Sequence, residues 1–226
     1  MTTSGTSAFT LDLAEIIDEA AERCGYEIRS GYDLRTARRS LNLLIADWAS
    51  RGINLWTIET GTIPLVTGTA TYNLPTDTID LIEHVTRTGA DSTQQDISLT
   101  RISVSTYSTI PNKNATGRPL QILITRQATP SVTLWPVPDA STPYTLVYWR
   151  LRRMQDAGDG TNTQDIPFRF LPALIAGLAY HLALKVPNGL QRVQMLKDQY
   201  DEAWDLAASE DREKAPVRWV PRSFRV

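Results

Sequence analysis

Apolar side chains recur at helical spacing over residues 11–24, at Leu11, Ala14, Ile17, Ala21 and Cys24, while Asp12, Glu15, Asp18, Glu19 and Glu22 fill the remaining face. This pattern predicts an amphipathic, acidic helix. Thr10 is the expected N-cap, since its hydroxyl can accept a first-turn amide, and Gly25 is the expected stop. A second helix follows. Ser30 with Asp33 resembles a capping box, Leu34, Ala37, Leu41, Leu44 and Trp48 recur at spacings of 3, 4, 3 and 4, and Gly52 ends the run. The short link predicts an antiparallel pair.

From residue 54 to 164 β-branched and aromatic residues alternate with polar ones between turn signals, which predicts a strand domain. The expected strands are 55–66, 69–74, 79–86, 120–126, 132–135 and 144–150, with a hairpin turn at Thr67-Gly68 between the first two. In the last of them Thr145, Val147 and Trp149 face one way and Leu146, Tyr148 and Arg150 the other, and either face could be buried. Residues 103–110 suggest a single helical turn, and 156–164 a loop leaving the strand domain.

Helical periodicity returns after Asp165, an expected N-cap ahead of Pro167, with Pro172 marking a second start or a kink. This third helix, to about Lys185, is apolar nearly all round and offers Ala173, Ala176, Gly177, Tyr180 and Ala183 for close approach of another helix. After Pro187-Asn188-Gly189 a fourth helix carries Val193, Leu196, Tyr200, Ala203 and Ala207, with Trp204 beside them. The expected class is α+β: a discontinuous helical bundle built from both termini (1–53 and 165–212), an inserted β domain (54–164) and an extended C-terminal tail (213–226). Separate terminal hairpins bridged by the sheet are the alternative.

Composition narrows the chemistry. Of 226 residues 42% are hydrophobic and 21% charged, as in a globular protein, and the net charge of −2 gives no general hold on nucleic acid. One cysteine and two histidines exclude a disulfide scaffold and a usual zinc site. The Ser/Thr-rich start lacks the features of a secretory signal, and the apolar run 170–184 is shorter than the roughly 20 residues that cross a bilayer. No phosphate-cradling glycine loop is present. Cys24, on the apolar stripe beside carboxylates that raise a thiol pKa, reads as structural, and His84 and His181 read as satisfied core imidazoles. Asp77, Asp80 and Glu83 do not converge on one strand face, so no metal, cofactor or catalytic site is expected.

Charge clusters carry more. Arg35, Arg38 and Arg39 open the second helix and face the question of what pairs with them. They, with Glu15, Asp18, Glu19 and Glu22, form either a solvated surface or an interface in which the acidic face of one copy meets the arginines of the next. The tail sets Arg218, Trp219, Arg222, Phe224 and Arg225 among prolines. Ordering twelve such residues costs on the order of 12 to 24 kcal/mol, against about 3 to 6 from burying two aromatics. The tail is therefore either a frayed end or a segment that folds on a partner, a portal or neighbouring subunit.

Ordered blocks carry a resemblance: Arg38-Arg39-Ser40-Leu41-Asn42-Leu43-Leu44-Ile45-Ala46-Asp47-Trp48-Ala49-Ser50-Arg51-Gly52-Ile53-Asn54-Leu55-Trp56, Val66-Thr67-Gly68 and Tyr72-Asn73-Leu74-Pro75. Asn114-Ala115-Thr116-Gly117-Arg118-Pro119, Leu134-Trp135-Pro136-Val137-Pro138 and Ile166-Pro167-Phe168-Arg169-Phe170-Leu171-Pro172-Ala173-Leu174 follow. Together they resemble head-to-tail connector proteins of tailed bacteriophages, the adaptor, neck and tail-tube-A-like group. The resemblance implies a non-catalytic virion protein, without cofactor or membrane contact, that assembles in the host cytoplasm as a dodecameric ring. It implies a portal protein above, tail or nozzle proteins below, and a channel that passes double-stranded DNA. A cellular protein-binding module and a DNA-packaging enzyme with clustered Mg²⁺-binding carboxylates are the rival readings.

Overall fold

The computed structural model describes residues 5, 11–52, 55–158 and 163–212. Helices and strands are both present, so the class is α+β. The helices are α1 (Leu13–Cys24), α2 (Gly31–Ser50), α3 (Val104–Ser108), α4 (Leu171–Ala183) and α5 (Val193–Glu210). The strands are β1 (Ile58–Pro64), β2 (Thr71–Asn73), β3 (Thr78–Thr88), β4 (Gln95–Ser98), β5 (Thr100–Ile102), β6 (Thr116–Gly117), β7 (Gln121–Thr125), β8 (Ser131–Trp135), β9 (Val137–Pro138) and β10 (Thr145–Arg152). Two compact units result, Met1–Ser50 with Gln155–Val226, and Arg51–Met154.

In the helical unit, α1 is capped by Asp12 rather than Thr10, which lies outside the described residues. The Asp12 carboxylate accepts the Glu15 N–H at 2.8 Å and the Glu15 carboxylate accepts the Asp12 N–H at 3.0 Å. This reciprocal box satisfies two amides where a lone threonine would satisfy one. The buried stripe is also displaced from the expected one: Leu13, Ile16, Ile17, Ala20, Ala21 and Cys24 are buried, and Ala14 is exposed. Two apolar registers fit one helical period here, and the bulkier one faces inward. The Ser30–Asp33 box of α2 is present, with the Ser30 hydroxyl accepting the Asp33 N–H at 3.2 Å and Asp33 accepting the Ser30 N–H at 3.1 Å.

Helix α4 packs on α1, α2 and α5, whereas α1 and α2 meet only sparingly. The antiparallel pairing expected between the first two helices is thus replaced by separate docking on α4, which is apolar nearly all round and covers more of each stripe. At Gly177 a Cβ would lie 2.8 Å from the Tyr200 ring and 2.9 Å from Leu44, so the missing side chain admits both neighbours. A further level sets Trp48, Phe170 and Trp204 together, with ring centroids 4.8 to 5.8 Å apart. From one level to the next α2 and α5 ascend in sequence and α4 descends, so α2 and α5 run in the same direction. Asp165 does not cap a helix; its carboxylate accepts the Gln155 N–H at 3.2 Å, and a 3-10 turn, Phe168–Phe170, precedes α4. Pro172 falls in the first turn of α4, where its missing N–H costs nothing.

The strand unit holds sheets of order β1-β10-β3-β4 and β2-β8-β7-β5, plus the β6-β9 pair. Thr67-Gly68 does form a tight turn, with the Thr69 N–H on the Val66 carbonyl at 3.0 Å and Gly68 at φ 78°. It is not a hairpin. β1 pairs with β10 and β2 with β8, so the turn carries the chain from one sheet to the other. Strand pairing is long-range, and the local turn signal does not report it. β4, β5, β6 and β9 fall outside the expected strands because they are short and carry few apolar residues.

Leu74, Leu81, Leu99, Ile122, Val132, Leu134, Leu146 and Tyr148 form the core of this unit. The Tyr148 ring lies across Gly61 of β1, where a Cβ would come within 2.4 Å of it. β10 is buried on both faces, with Val147 as covered as Leu146 and Tyr148. On β3, His84 and Thr86 sit opposite Tyr148 and Leu146 and share their face.

Candidate functional site

The charged helix faces singled out by the sequence lie mostly outward. On α1, Glu15 is engaged in the capping box and Glu19 accepts from Arg23 Nε at 2.8 Å, a half-exposed i,i+4 pair of small energetic weight. Asp18 and Glu22 are exposed and form no ion pair among the described residues. On α2, Arg35 and Arg39 are likewise exposed and without an ion pair, whereas Arg38 is half-buried and has a contact of its own. The structure therefore does not bring Arg35 or Arg39 onto the α1 carboxylates of the same chain. Arg39 instead lines a groove of about 500 Å³ with Tyr26, Tyr32, Leu182 and Val186. Lys185, which follows α4 and also lines this groove, donates to the Ser40 hydroxyl of α2 at 2.7 Å.

Two exposed apolar residues flank these arginines, Tyr32 and Leu43. Neither belongs to the apolar stripe expected on α2, although their spacing to Arg35 and Arg39 is visible in the sequence. Arg218, Trp219, Arg222, Phe224 and Arg225 lie outside the described residues.

In the strand unit two of the three carboxylates singled out from the sequence, Asp77 and Asp80, are held by arginines, and Glu83 is exposed without an ion pair among the described residues. Arg150 donates to Asp77 at 2.5 Å and to Glu59 at 2.8 Å, Arg152 donates to Glu59 at 2.6 Å, and both guanidinium groups are largely covered. The Arg150 hydrogen bond holds the Asp77 carboxyl below its usual pKa. Asp80 accepts from Arg101 at 3.0 Å and Arg126 at 2.7 Å. Among the described residues no group of three His, Cys, Asp or Glu could hold a metal ion.

Cys24 is buried, its thiol reaches the Ala21 carbonyl at 3.1 Å, and burial, rather than the acidic neighbours named from the sequence, raises its pKa. His84 is buried but not satisfied, since neither ring nitrogen has a hydrogen-bond partner. Burial pulls its pKa down. His181 is half-buried and stacks edge-on against Tyr180, with centroids 5.5 Å apart, so it lies at the margin of the core rather than inside it. No helix among the described residues is long and apolar enough to cross a membrane.

What these surfaces offer is charge and apolar area on outward helix faces, the means by which one protein attaches to another. The sequence matches the SU10 adaptor protein family over residues 11–220. The chain belongs to that family and is a structural adaptor protein of bacteriophages. No curated protein matches it.

Proposed function

We propose that the protein is a head-to-tail adaptor whose copies close into a ring beneath the portal, join the capsid to tail proteins, and leave a channel for double-stranded DNA. The observation that carries this reading is the family match over residues 11–220, which spans both units. A net charge of −2 supports it, because a channel that passes DNA must not hold its phosphates. In this reading the helices form a discontinuous bundle, the strand domain is an insertion, and twelve copies make the ring. The protein carries out no catalysis. It acts in the neck of the virion after assembling in the host cytoplasm.

The tail supplies the attachment. Trp219 and Phe224 anchor residues 213–226 on a portal or neighbouring subunit, and Arg218, Arg222 and Arg225 pair with its carboxylates. Deleting residues 215–226 leaves the fold intact and abolishes or strongly weakens attachment of the ring to the portal, as measured by co-sedimentation of the two purified proteins. Unchanged attachment by the truncated chain moves the docking surface to the helical unit. Between copies, the α2 arginines Arg35, Arg38 and Arg39 face carboxylates of the next subunit. On α1 only Asp18 and Glu22, of the four residues Glu15, Asp18, Glu19 and Glu22, have no internal engagement to give up.

A further inference from the structure

Tyr32, Arg35, Arg39 and Leu43 stand on α2 at spacings of three, four and four residues, and Met195, Asp198, Glu202 and Leu206 stand on α5 at the same spacings. Each set covers one face of its helix, opposite the buried stripe, with two apolar ends about 16 Å apart and two charges between them. The ends are well exposed: Tyr32 69%, Leu43 59%, Met195 50% and Leu206 66%. The charges are opposite in sign. Arg35, Arg39 and Glu202 form no ion pair among the described residues, and Asp198 accepts only the Gln194 amide, at 2.9 Å.

We infer that the α2 face of one copy docks on the α5 face of the next, in parallel, with Tyr32 on Met195, Arg35 on Asp198, Arg39 on Glu202 and Leu43 on Leu206. The inference rests on the ring reading above and names the surface that builds it. Matching spacing and opposite charge pick out a second copy as the occupant. Because α2 and α5 run in the same direction within one chain, rotation about an axis near the helix direction brings them together parallel, as this register requires. Two different faces meeting head to tail generate a closed ring or an open helix. Inside one copy Leu44 lies level with Tyr200, whereas the docked register sets Leu43 against Leu206. Neighbours are thus offset by about 10 Å along the helices, and closure needs the helices inclined to the ring axis. Helix α1 is the weaker partner for the arginines, since none of its large apolar residues is exposed.

The test is charge reversal on the full chain, read by sedimentation across protein concentration. Arg35→Glu with Arg39→Glu, and separately Asp198→Arg with Glu202→Arg, weaken association at least tenfold, and mixing the two variants restores it. All four side chains are exposed, so circular dichroism should match the wild type. Should a variant fold poorly, single-cysteine proteins decide instead. In a Cys24→Ala background, Leu43→Cys and Leu206→Cys proteins oxidised as a mixture give a crosslinked dimer that neither gives alone. Wild-type oligomers that survive both reversals and give no mixed crosslink overturn this interface while leaving the ring reading in place. A wild-type protein that stays monomeric at every concentration and gives no mixed crosslink overturns this interface and leaves the ring reading to the neck of the assembled virion.

Discussion

The Trp48 indole N–H donates to the Tyr200 hydroxyl at 2.8 Å, joining α2 to α5 across 152 residues of sequence, and both side chains are buried. A buried donor without a partner costs about 1 to 3 kcal/mol. Tyr200→Phe removes the acceptor with little change of shape and strands the indole N–H. Urea denaturation of the full chain should therefore show a loss of about 1 to 3 kcal/mol for this variant. Unchanged stability would mean that the two helices are held by apolar packing alone.

Gly177 tests the same junction from the other side. Alanine in a helix is favoured over glycine by about 1 kcal/mol, but added volume in a packed core costs about 1 to 3. The Tyr200 ring, 2.8 Å from the added methyl, is tethered by Trp48 and cannot swing aside freely. Gly177→Ala should lower stability in the wild type and lower it less in the Tyr200→Phe background, where the tether is gone. Denaturation of the four proteins in a double-mutant cycle measures this coupling. A stabilising Gly177→Ala in the wild type would show that the three helices have slack at this level.

His84 predicts a pH dependence of stability. Its neighbours Glu83 and Asp80 favour the charged ring and Arg101 opposes it, but burial outweighs them and the pKa in the folded chain lies below the unfolded value of about 6.5. The unfolded state then binds more protons as the pH falls. Stability from this residue is complete above about pH 6.5 and declines as pH drops through that value toward the lower folded pKa, by at most about 1.4 kcal/mol per pH unit. The urea midpoint of the wild type should fall further between pH 8 and pH 5 than that of His84→Leu, whichever protein is the more stable at pH 8. Parallel curves would show that His84 titrates alike in both states.

Local signals were legible where one residue acts on its near neighbours. The Ser30–Asp33 box and the α2 stripe from Ala37 to Trp48 follow from spacings of three and four, though Leu34, expected to open that stripe, is exposed, and α3 follows from a short Ser/Thr-rich run. What failed was long-range. Nothing near Thr67-Gly68 says that β1 seeks β10, and nothing near Arg150 says that Glu59, 91 residues away, will meet it. The preference of α1 and α2 for α4 over each other depends on how much apolar surface α4 offers, a comparison among three segments rather than a property of one. The outward faces of α2 and α5 were written in the sequence as a repeated spacing, yet only burial separates them from the core stripes beside them.

The most direct test is cryo-electron microscopy of the neck in assembled virions. The account predicts a closed ring of this chain directly below the portal, with the α2 face of each copy on the α5 face of the next and residues 213–226 ordered against a portal or neighbouring subunit. A neck without this chain, or one in which its copies do not close a ring, would contradict it.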